Sequence, residues 1–115
     1  MADPVEINPE DYQFVAICST SDVPEGERIF FDIADESIVM FCISGKYYAM
    51  GDYCTHDDGP VGEGELDGYQ IICPRHGARF DVRNGHAVKS PAFINAPWYP
   101  VRVVDGNLEI GIKNK

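Results

Sequence analysis

Two short cysteine–histidine pairs are the residues of this chain best suited to chemistry. The first is Cys54-Thr55-His56, and the second is Cys73-Pro74-Arg75-His76, which begins after a gap of sixteen residues. Each pair offers one thiolate and one imidazole, so the two pairs together offer four metal donors. Such a set can hold a two-iron cluster unevenly, with both thiolates on one iron and both imidazoles on the other. The pattern therefore predicts an electron-transfer centre.

Two other interpretations of these four residues stay open on spacing alone. A structural zinc ion also accepts two Cys and two His ligands in a tetrahedron. Zinc motifs usually place Cys with Cys and His with His, however, whereas this chain alternates the two types. The four residues could also be unrelated, with the thiols acting as small core hydrophobes. Two Cys–His pairs in a chain with only four Cys and three His favour the metal centre.

Short strands are expected to position the two pairs, because β-branched and aromatic runs alternate with turn signals and no segment has a helical period. We predict strands at residues 12–17, 28–33, 37–43, 47–50, 69–72, 80–82, 86–88, 99–104 and 108–112. Many short strands at close spacing are typical of a small barrel or sandwich. Both Cys–His pairs then fall in loops that project from the β scaffold.

Turn signals separate these strands. Hairpin turns are predicted at Ser44-Gly45-Lys46, Arg83-Asn84-Gly85 and Asp105-Gly106-Asn107, where small and Asn/Asp-Gly residues tolerate a left-handed backbone. Residues 20–24 are predicted to cap a single helical turn. We expect one all-β domain that spans residues 1–115, since 44% hydrophobic residues suffice for a modest core.

Charge and cysteine content narrow the classes of partner. The net charge of -10 and the pI near 4.5 argue against nucleic acid and anionic membranes, and favour a partner with a basic docking surface. No apolar run is long enough for a membrane span, and the first residues lack the pattern of a signal peptide. We therefore expect a cytoplasmic protein in which the cysteines bind metal or remain thiols.

The motifs Cys54-Thr55-His56 and Cys73-Pro74-Arg75-His76-Gly77 resemble those of the Rieske [2Fe-2S] family. The chain is also similar to the small soluble Rieske ferredoxins of ring-hydroxylating dioxygenase systems at Gly59-Pro60, Phe80-Asp81-Val82 and residues 99–103. The resemblance implies an all-β fold, a barrel or sandwich of short antiparallel strands that carries a small cluster-binding subdomain. It also implies one [2Fe-2S] cluster as the cofactor.

The same resemblance implies the ligands and the function. Cys54 and Cys73 would bind the inner iron through sulfur, and His56 and His76 would bind the outer iron through nitrogen. The protein would be a monomeric one-electron carrier rather than an enzyme, passing electrons from a flavin-dependent reductase to a terminal oxygenase. An alternative within electron transfer is a small Rieske-type subunit of a nitrite reductase complex.

Departures from the high-potential members of the family predict a low reduction potential. Those members carry an extra cysteine in each cluster loop and a serine after His-Gly, where this chain has no such cysteines and has Ala78. A missing hydroxyl donor, together with the nearby Asp57 and Asp58, disfavours the added electron. We predict a potential of about -150 mV. The backbone of Gly77 is expected to donate a hydrogen bond to the cluster.

The remaining reactive residues have weaker claims to a role. His86 lies outside both pairs and is predicted to be a surface residue of a hairpin. Cys18 and Cys42 lie in or beside predicted strands and are expected to be inert core thiols. Trp98 is either a core aromatic or a neighbour of the cluster. Arg75 and Arg79 are either surface charges or residues that tune the cluster and contact a partner.

Overall fold

Strands and tight turns account for most of the chain. The computed structural model describes residues 8–33, 35–54, 59–74, 76–90, 92 and 94–114. Within this part of the chain lie eleven strands: β1 Tyr12–Ser19, β2 Arg28–Ile33, β3 Glu36–Ile43, β4 Lys46–Gly51, β5 Leu66–Asp67, β6 Gln70–Ile72, β7 Arg79–Asp81, β8 Ala87–Lys89, β9 Trp98–Tyr99, β10 Val101–Val104 and β11 Asn107–Lys113. Single 3-10 turns occur at Pro9–Asp11 and Thr20–Asp22. The described residues include no helix long and apolar enough to cross a membrane.

The strands form three antiparallel sheets, so the predicted all-β class is confirmed. The sheet orders are β1-β11-β10, β2-β3-β4-β9 and β5-β6-β7-β8. The first described strand and the last one pair over almost their whole length, from Tyr12 opposite Lys113 to Ser19 opposite Asn107. The third sheet consists of strands of two or three residues and carries the second cysteine loop between β6 and β7.

Two of the three predicted hairpin turns are tight two-residue connections, whereas Arg83-Asn84-Gly85 lies in a longer connection between β7 and β8. Ser44 and Gly45 both have positive φ, 54° and 77°, and form the two-residue connection between β3 and β4. Asp105 and Gly106 repeat this geometry between β10 and β11, with φ of 52° and 80°. Left-handed backbone at both central residues matches the twist of the paired strands. The carboxylate of Glu25 also accepts the Ser44 and Gly45 N–H groups, each at 2.7 Å.

Two sequence predictions of strands are wrong in detail. The strand predicted at 99–104 is divided at Pro100 into β9, which pairs with β4, and β10, which pairs with β11. Proline has no N–H group for a ladder, and the chain changes sheets at this residue. The two-residue strand β5 was not predicted, because so short a segment has no detectable alternation. The single turn predicted near Thr20 is present, capped by Ser19 through the Ser21 N–H.

Strand β3 divides the interior into two clusters of buried side chains. Val39 and Phe41 face the first cluster, whereas Ile38, Met40 and Cys42 face the second. Alternate residues of a strand point to opposite faces, so a strand covered on both sides reads as a continuous apolar run. The first cluster contains Val39, Phe41, Met50, Cys54, Val61, Ile71, Cys73, Ala78, Phe80, Val82, Ala92 and Ala96. Both metal-motif cysteines therefore lie in the same core.

A partly buried ion pair secures the turn after β7. The Arg83 guanidinium donates from Nε to Asp81 Oδ1 at 3.0 Å and from Nη2 to Oδ2 at 2.8 Å. It also stacks 4.2 Å from the centre of the Tyr69 ring. Burial raises the pKa of Asp81, but the hydrogen bonds and charge of Arg83 outweigh burial and leave that pKa below its usual value.

We expect Asp81→Asn to lower the free energy of unfolding near neutral pH by about 2 kcal/mol. Because the folded pKa of Asp81 lies below the unfolded value, its contribution is present above the unfolded pKa and disappears as pH falls through the folded pKa. Urea unfolding between pH 7 and pH 3 measures both effects. The control is Asp67→Asn, since Asp67 accepts from Arg79 at 2.8 Å but is 67% exposed. Equal losses in the two variants would contradict the assigned role.

Candidate metal centre

The two cysteine loops are closed by equivalent backbone hydrogen bonds. The Cys54 N–H donates to the Gly59 carbonyl at 2.7 Å, and the Cys73 N–H donates to the Ala78 carbonyl at 2.7 Å. Each loop thus returns to its cysteine after the same number of residues. Two loops closed in the same way can hold the two sides of one cofactor when a rigid scaffold fixes their separation.

Burial separates the sulfur donors from the nitrogen donor. Cys54 is 0% exposed and Cys73 is 1% exposed, both inside the first core cluster. His76 is exposed at the surface of the second loop. His56 lies outside the described residues. Buried sulfur and an exposed imidazole give the site a protected inner end and an outer end open to a partner.

The described donors differ in burial. Within the described chain, which leaves out His56, no three Cys, His, Asp or Glu side chains form a group that could hold a single metal ion. A mixed-ligand two-iron cluster instead places sulfur and nitrogen donors on different irons. The separation of buried thiols from exposed imidazole is what that arrangement requires.

A turn at residues 61–65, here called the bridging turn, contacts the chain next to both cysteines. Asp52, two residues before Cys54, accepts the Val61 and Gly62 N–H groups through Oδ1 at 3.2 and 2.7 Å. Ile72, immediately before Cys73, donates its N–H to the Glu65 carbonyl at 2.9 Å. The bridging turn therefore sets how far apart the two cysteine-bearing segments lie.

Carboxylates border both cysteine loops. A cleft of about 430 Å³ beside the second loop is lined by Cys73 and by Glu63 and Glu65. A second cleft, before the first loop, is lined by Asp35, Glu36 and Asp52 together with Tyr53. Negative charge around the centre opposes the addition of an electron, and it favours the approach of a partner with a basic surface.

One predicted contact to the cofactor is wrong. The Gly77 N–H donates to the Cys73 carbonyl at 3.0 Å, with Gly77 in the left-handed region at φ 75°. This N–H is therefore used within the loop rather than aimed at a cofactor. The positive φ explains the glycine, since other residues adopt this backbone conformation only with strain.

The structure places the other described residues singled out from the sequence elsewhere on the β scaffold, and Arg75 lies outside the described residues. His86 is exposed in the β7–β8 connection, as predicted. Cys42 is buried in the second core, and burial followed by the charge of Glu25 raises the pKa of its thiol, so the unreactive neutral form persists. Trp98 pairs opposite Met50 in β9. Arg79 donates to Asp67 and Gln70 within the third sheet.

Sequence reasoning missed Arg28 as a residue of the site. Its Nη1 donates to the carbonyls of Gly62 and Gly64 at 2.6 and 2.7 Å. The signal in the sequence is slight, since Arg28 is merely the one basic residue among the first 36. Its partners lie 34 and 36 residues further along the chain, beyond the reach of local patterns.

Comparison with known proteins agrees with this geometry. The Rieske [2Fe-2S] domain family matches residues 13–100. The chain is 34% identical over 100 residues to the ferredoxin component of the p-cumate 2,3-dioxygenase system of Pseudomonas putida, covering 85% of each chain. It is 36% identical over 96 residues to the 3-phenylpropionate/cinnamic acid dioxygenase ferredoxin subunit of Escherichia coli K12, covering 83% of this chain and 90% of that one.

Solved ferredoxin structures have a similar fold. A chain in the complex of reduced oxygenase and oxidized ferredoxin in carbazole 1,9a-dioxygenase aligns with a TM-score of 0.80 at 28% identity, over 89% of this chain and 95% of that chain. The Sphingomonas yanoikuyae B1 ferredoxin aligns with a TM-score of 0.77 at 27% identity, over 90% and 100%. With two loop cysteines in one core, a surface histidine and a family match across most of its length, this chain belongs to the Rieske [2Fe-2S] family.

Proposed function

We propose that this protein is the ferredoxin component of a ring-hydroxylating dioxygenase system and carries single electrons to the terminal oxygenase. The observation that carries the proposal is the match, over 85% of both chains, to a ferredoxin component of such a system. Like its named relatives, the protein is an electron carrier and not itself an enzyme. We propose a flavin-dependent reductase as the electron donor.

We further propose that Cys54, His56, Cys73 and His76 hold one Rieske [2Fe-2S] cluster. When bound, the cluster accepts and releases one electron at a time. The apolar core around Cys54 and Cys73 excludes water from the sulfur side. His76 lies at the surface, so an electron would cross a short distance to a docked partner there. The backbone hydrogen bonds that close the two loops hold Cys54 and Cys73 in place.

The domain, its state and its location form part of the proposal. We propose that residues 1–115 make up one domain, because β11 near the end of the chain pairs with β1. We also propose that it acts as a monomer in the cytoplasm. The four cysteines form no disulfide, and a reducing compartment keeps cysteines in that state.

Single-turnover transfer to an oxygenase tests the function. Chemically reduced protein is mixed with the oxygenase of a p-cumate or phenylpropionate system and its aromatic substrate, and the dihydroxylated product is measured. We expect product in proportion to the electrons supplied, and transfer rates that fall as salt screens the acidic borders of the site. The proposal would be overturned if the reduced protein passed electrons to a sirohaem nitrite reductase but supported product formation by none of the oxygenases.

The absence of a hydroxyl at position 78 predicts a measurable effect on the reduction potential. We expect a wild-type midpoint of about -150 mV. We expect Ala78→Ser to raise it by about 60 mV, which corresponds to one hydrogen bond of about 1.4 kcal/mol in a one-electron couple. Protein-film voltammetry measures both values. Ala49→Ser is the control, because Ala49 is equally buried but lies in the other core cluster. A wild-type midpoint above about 0 mV would contradict the prediction.

A further inference from the structure

We propose that Arg28 is a positioning residue for the cluster: it fixes the bridging turn, and the bridging turn holds both cysteine loops at their working separation. The inference rests on the proposed function, since it concerns how that cofactor is held. Arg28 belongs to β2, in a different sheet from the one that carries Cys73. Its side chain therefore links the large sheet to the cluster-binding end of the molecule.

The Arg28 guanidinium forms hydrogen bonds to one side of the bridging turn. Its Nη1 donates to two carbonyls of that turn, Gly62 at 2.6 Å and Gly64 at 2.7 Å. The guanidinium carbon lies 5.2 Å from the centre of the Phe41 ring, in the wall of the first core. Hydrogen bonds from a charged donor are stronger than neutral ones, and partial burial protects them from water.

The opposite side of the bridging turn is attached to the first cysteine loop. Gly62 donates its N–H to Asp52 Oδ1, and Asp52 donates its own N–H to the Ser37 carbonyl at 2.8 Å. Gly62 is thus held by its carbonyl to Arg28 and by its N–H to Asp52. A shift of this residue would be passed through Asp52 to Cys54, two positions further on.

The bridging turn also packs against Ile72, which leads into the second cysteine loop. Gly64 packs so closely on the Ile72 carbonyl that a Cβ atom at position 64 would overlap the oxygen. The Ile72 N–H donates to the carbonyl of Glu65, the residue that follows Gly64. Ile72 directly precedes Cys73. The hydrogen bond from Arg28 to Gly64 therefore acts on the position of Cys73 through the backbone contact between Gly64 and Ile72.

The charge of Arg28 has a second consequence. Glu63 and Glu65 of the bridging turn line the cleft beside Cys73, and Asp52 accepts the Gly62 N–H of the same turn. A cation placed among these groups offsets part of their negative field at the centre. Loss of the cation should therefore make the added electron less favourable and lower the midpoint potential, in addition to loosening the turn.

Arg28→Gln tests the proposal in the cluster-loaded protein. We expect about tenfold faster loss of the cluster to a chelator, a lower midpoint potential, and faster amide exchange in peptides covering residues 60–66 and 71–74. Arg28→Lys keeps the positive charge and one donor nitrogen, so its midpoint potential should be closer to the wild-type value than that of Arg28→Gln. The matched control is Arg102→Gln, because the Arg102 guanidinium also stacks on a ring, that of Phe14, and donates to Glu109 at 2.7 Å.

Wild-type values of potential, cluster loss and exchange in Arg28→Gln would overturn the positioning role. Changes of the same size in Arg102→Gln would also overturn it, since they would show a general response to losing an arginine. Neither result touches the proposed function. Conversely, a wild-type protein that holds the cluster but delivers no electron to any oxygenase would overturn the function and leave the role of Arg28 intact.

Discussion

Cys73→Ser should give a folded protein that holds no cluster. Iron and acid-labile sulfide are expected to fall from about two of each per chain to near zero, with loss of the visible absorption and of the EPR signal of the reduced state. A serine hydroxyl is a harder donor and stays protonated where a thiolate forms, so it does not replace sulfur on iron. Electron transfer to the oxygenase should disappear with the cluster. Metal analysis and circular dichroism separate the loss of iron from a loss of fold.

Cys42→Ser is the matched control for that experiment. Cys42 is also a buried thiol, 3% exposed, but it packs in the second core beside Ile38 and Met40. The same atom is exchanged in a comparably buried place, so any general cost of a buried hydroxyl appears in both variants. We expect Cys42→Ser to keep its full iron content. A Cys73→Ser protein with wild-type iron and spectrum would remove Cys73 from the proposed ligands.

The second large effect is expected from Gly64→Ala. The new methyl group would overlap the Ile72 carbonyl, so either the bridging turn or the segment leading to Cys73 must move. Such overpacking against backbone should cost about 3 kcal/mol of folding free energy. It should also accelerate loss of the cluster, because the displaced segment leads directly to Cys73. Urea unfolding and the kinetics of iron release to a chelator measure the two effects.

Gly106→Ala separates crowding from backbone strain. Gly106 has φ 80°, and nothing lies within 4 Å of a Cβ atom placed there. That substitution should cost about 1 kcal/mol through the left-handed backbone alone and leave iron release unchanged. If Gly64→Ala is no more harmful than Gly106→Ala, the close contact between the bridging turn and Ile72 does not constrain the site.

Local sequence signals account for much of this fold. Ser44-Gly45 and Asp105-Gly106 are correct hairpin predictions, because the demand for positive φ at two successive residues is met by few residue types. The β-branched and aromatic residues of β2 and the apolar run in β3 likewise identify strands. Strand β5 escapes prediction because two residues have no period, and because its partner β6 supplies the pairing.

In the candidate site, too, local features can be predicted from the sequence and contacts between distant residues cannot. The Cys–His pairs are visible because each lies within a few residues of chain, and together with other short segments they resemble one family. The hydrogen bonds of Arg28 to Gly62 and Gly64 are invisible, since they join residues more than thirty positions apart. The error at Gly77 has a different origin: whether its N–H points inward or back to Cys73 depends on loop dihedral angles that the residue types leave free.

Because β3 supplies side chains to both interior clusters, neither half of this protein can open while the other stays closed. Detaching Val39 and Phe41 from the cysteine-containing side also withdraws Ile38 and Met40 from the far side. Melting should therefore be all-or-none, with few half-open molecules. For a carrier that works beside an oxygen-consuming enzyme, such cooperativity shields the buried sulfurs from oxidation for as long as the chain is folded.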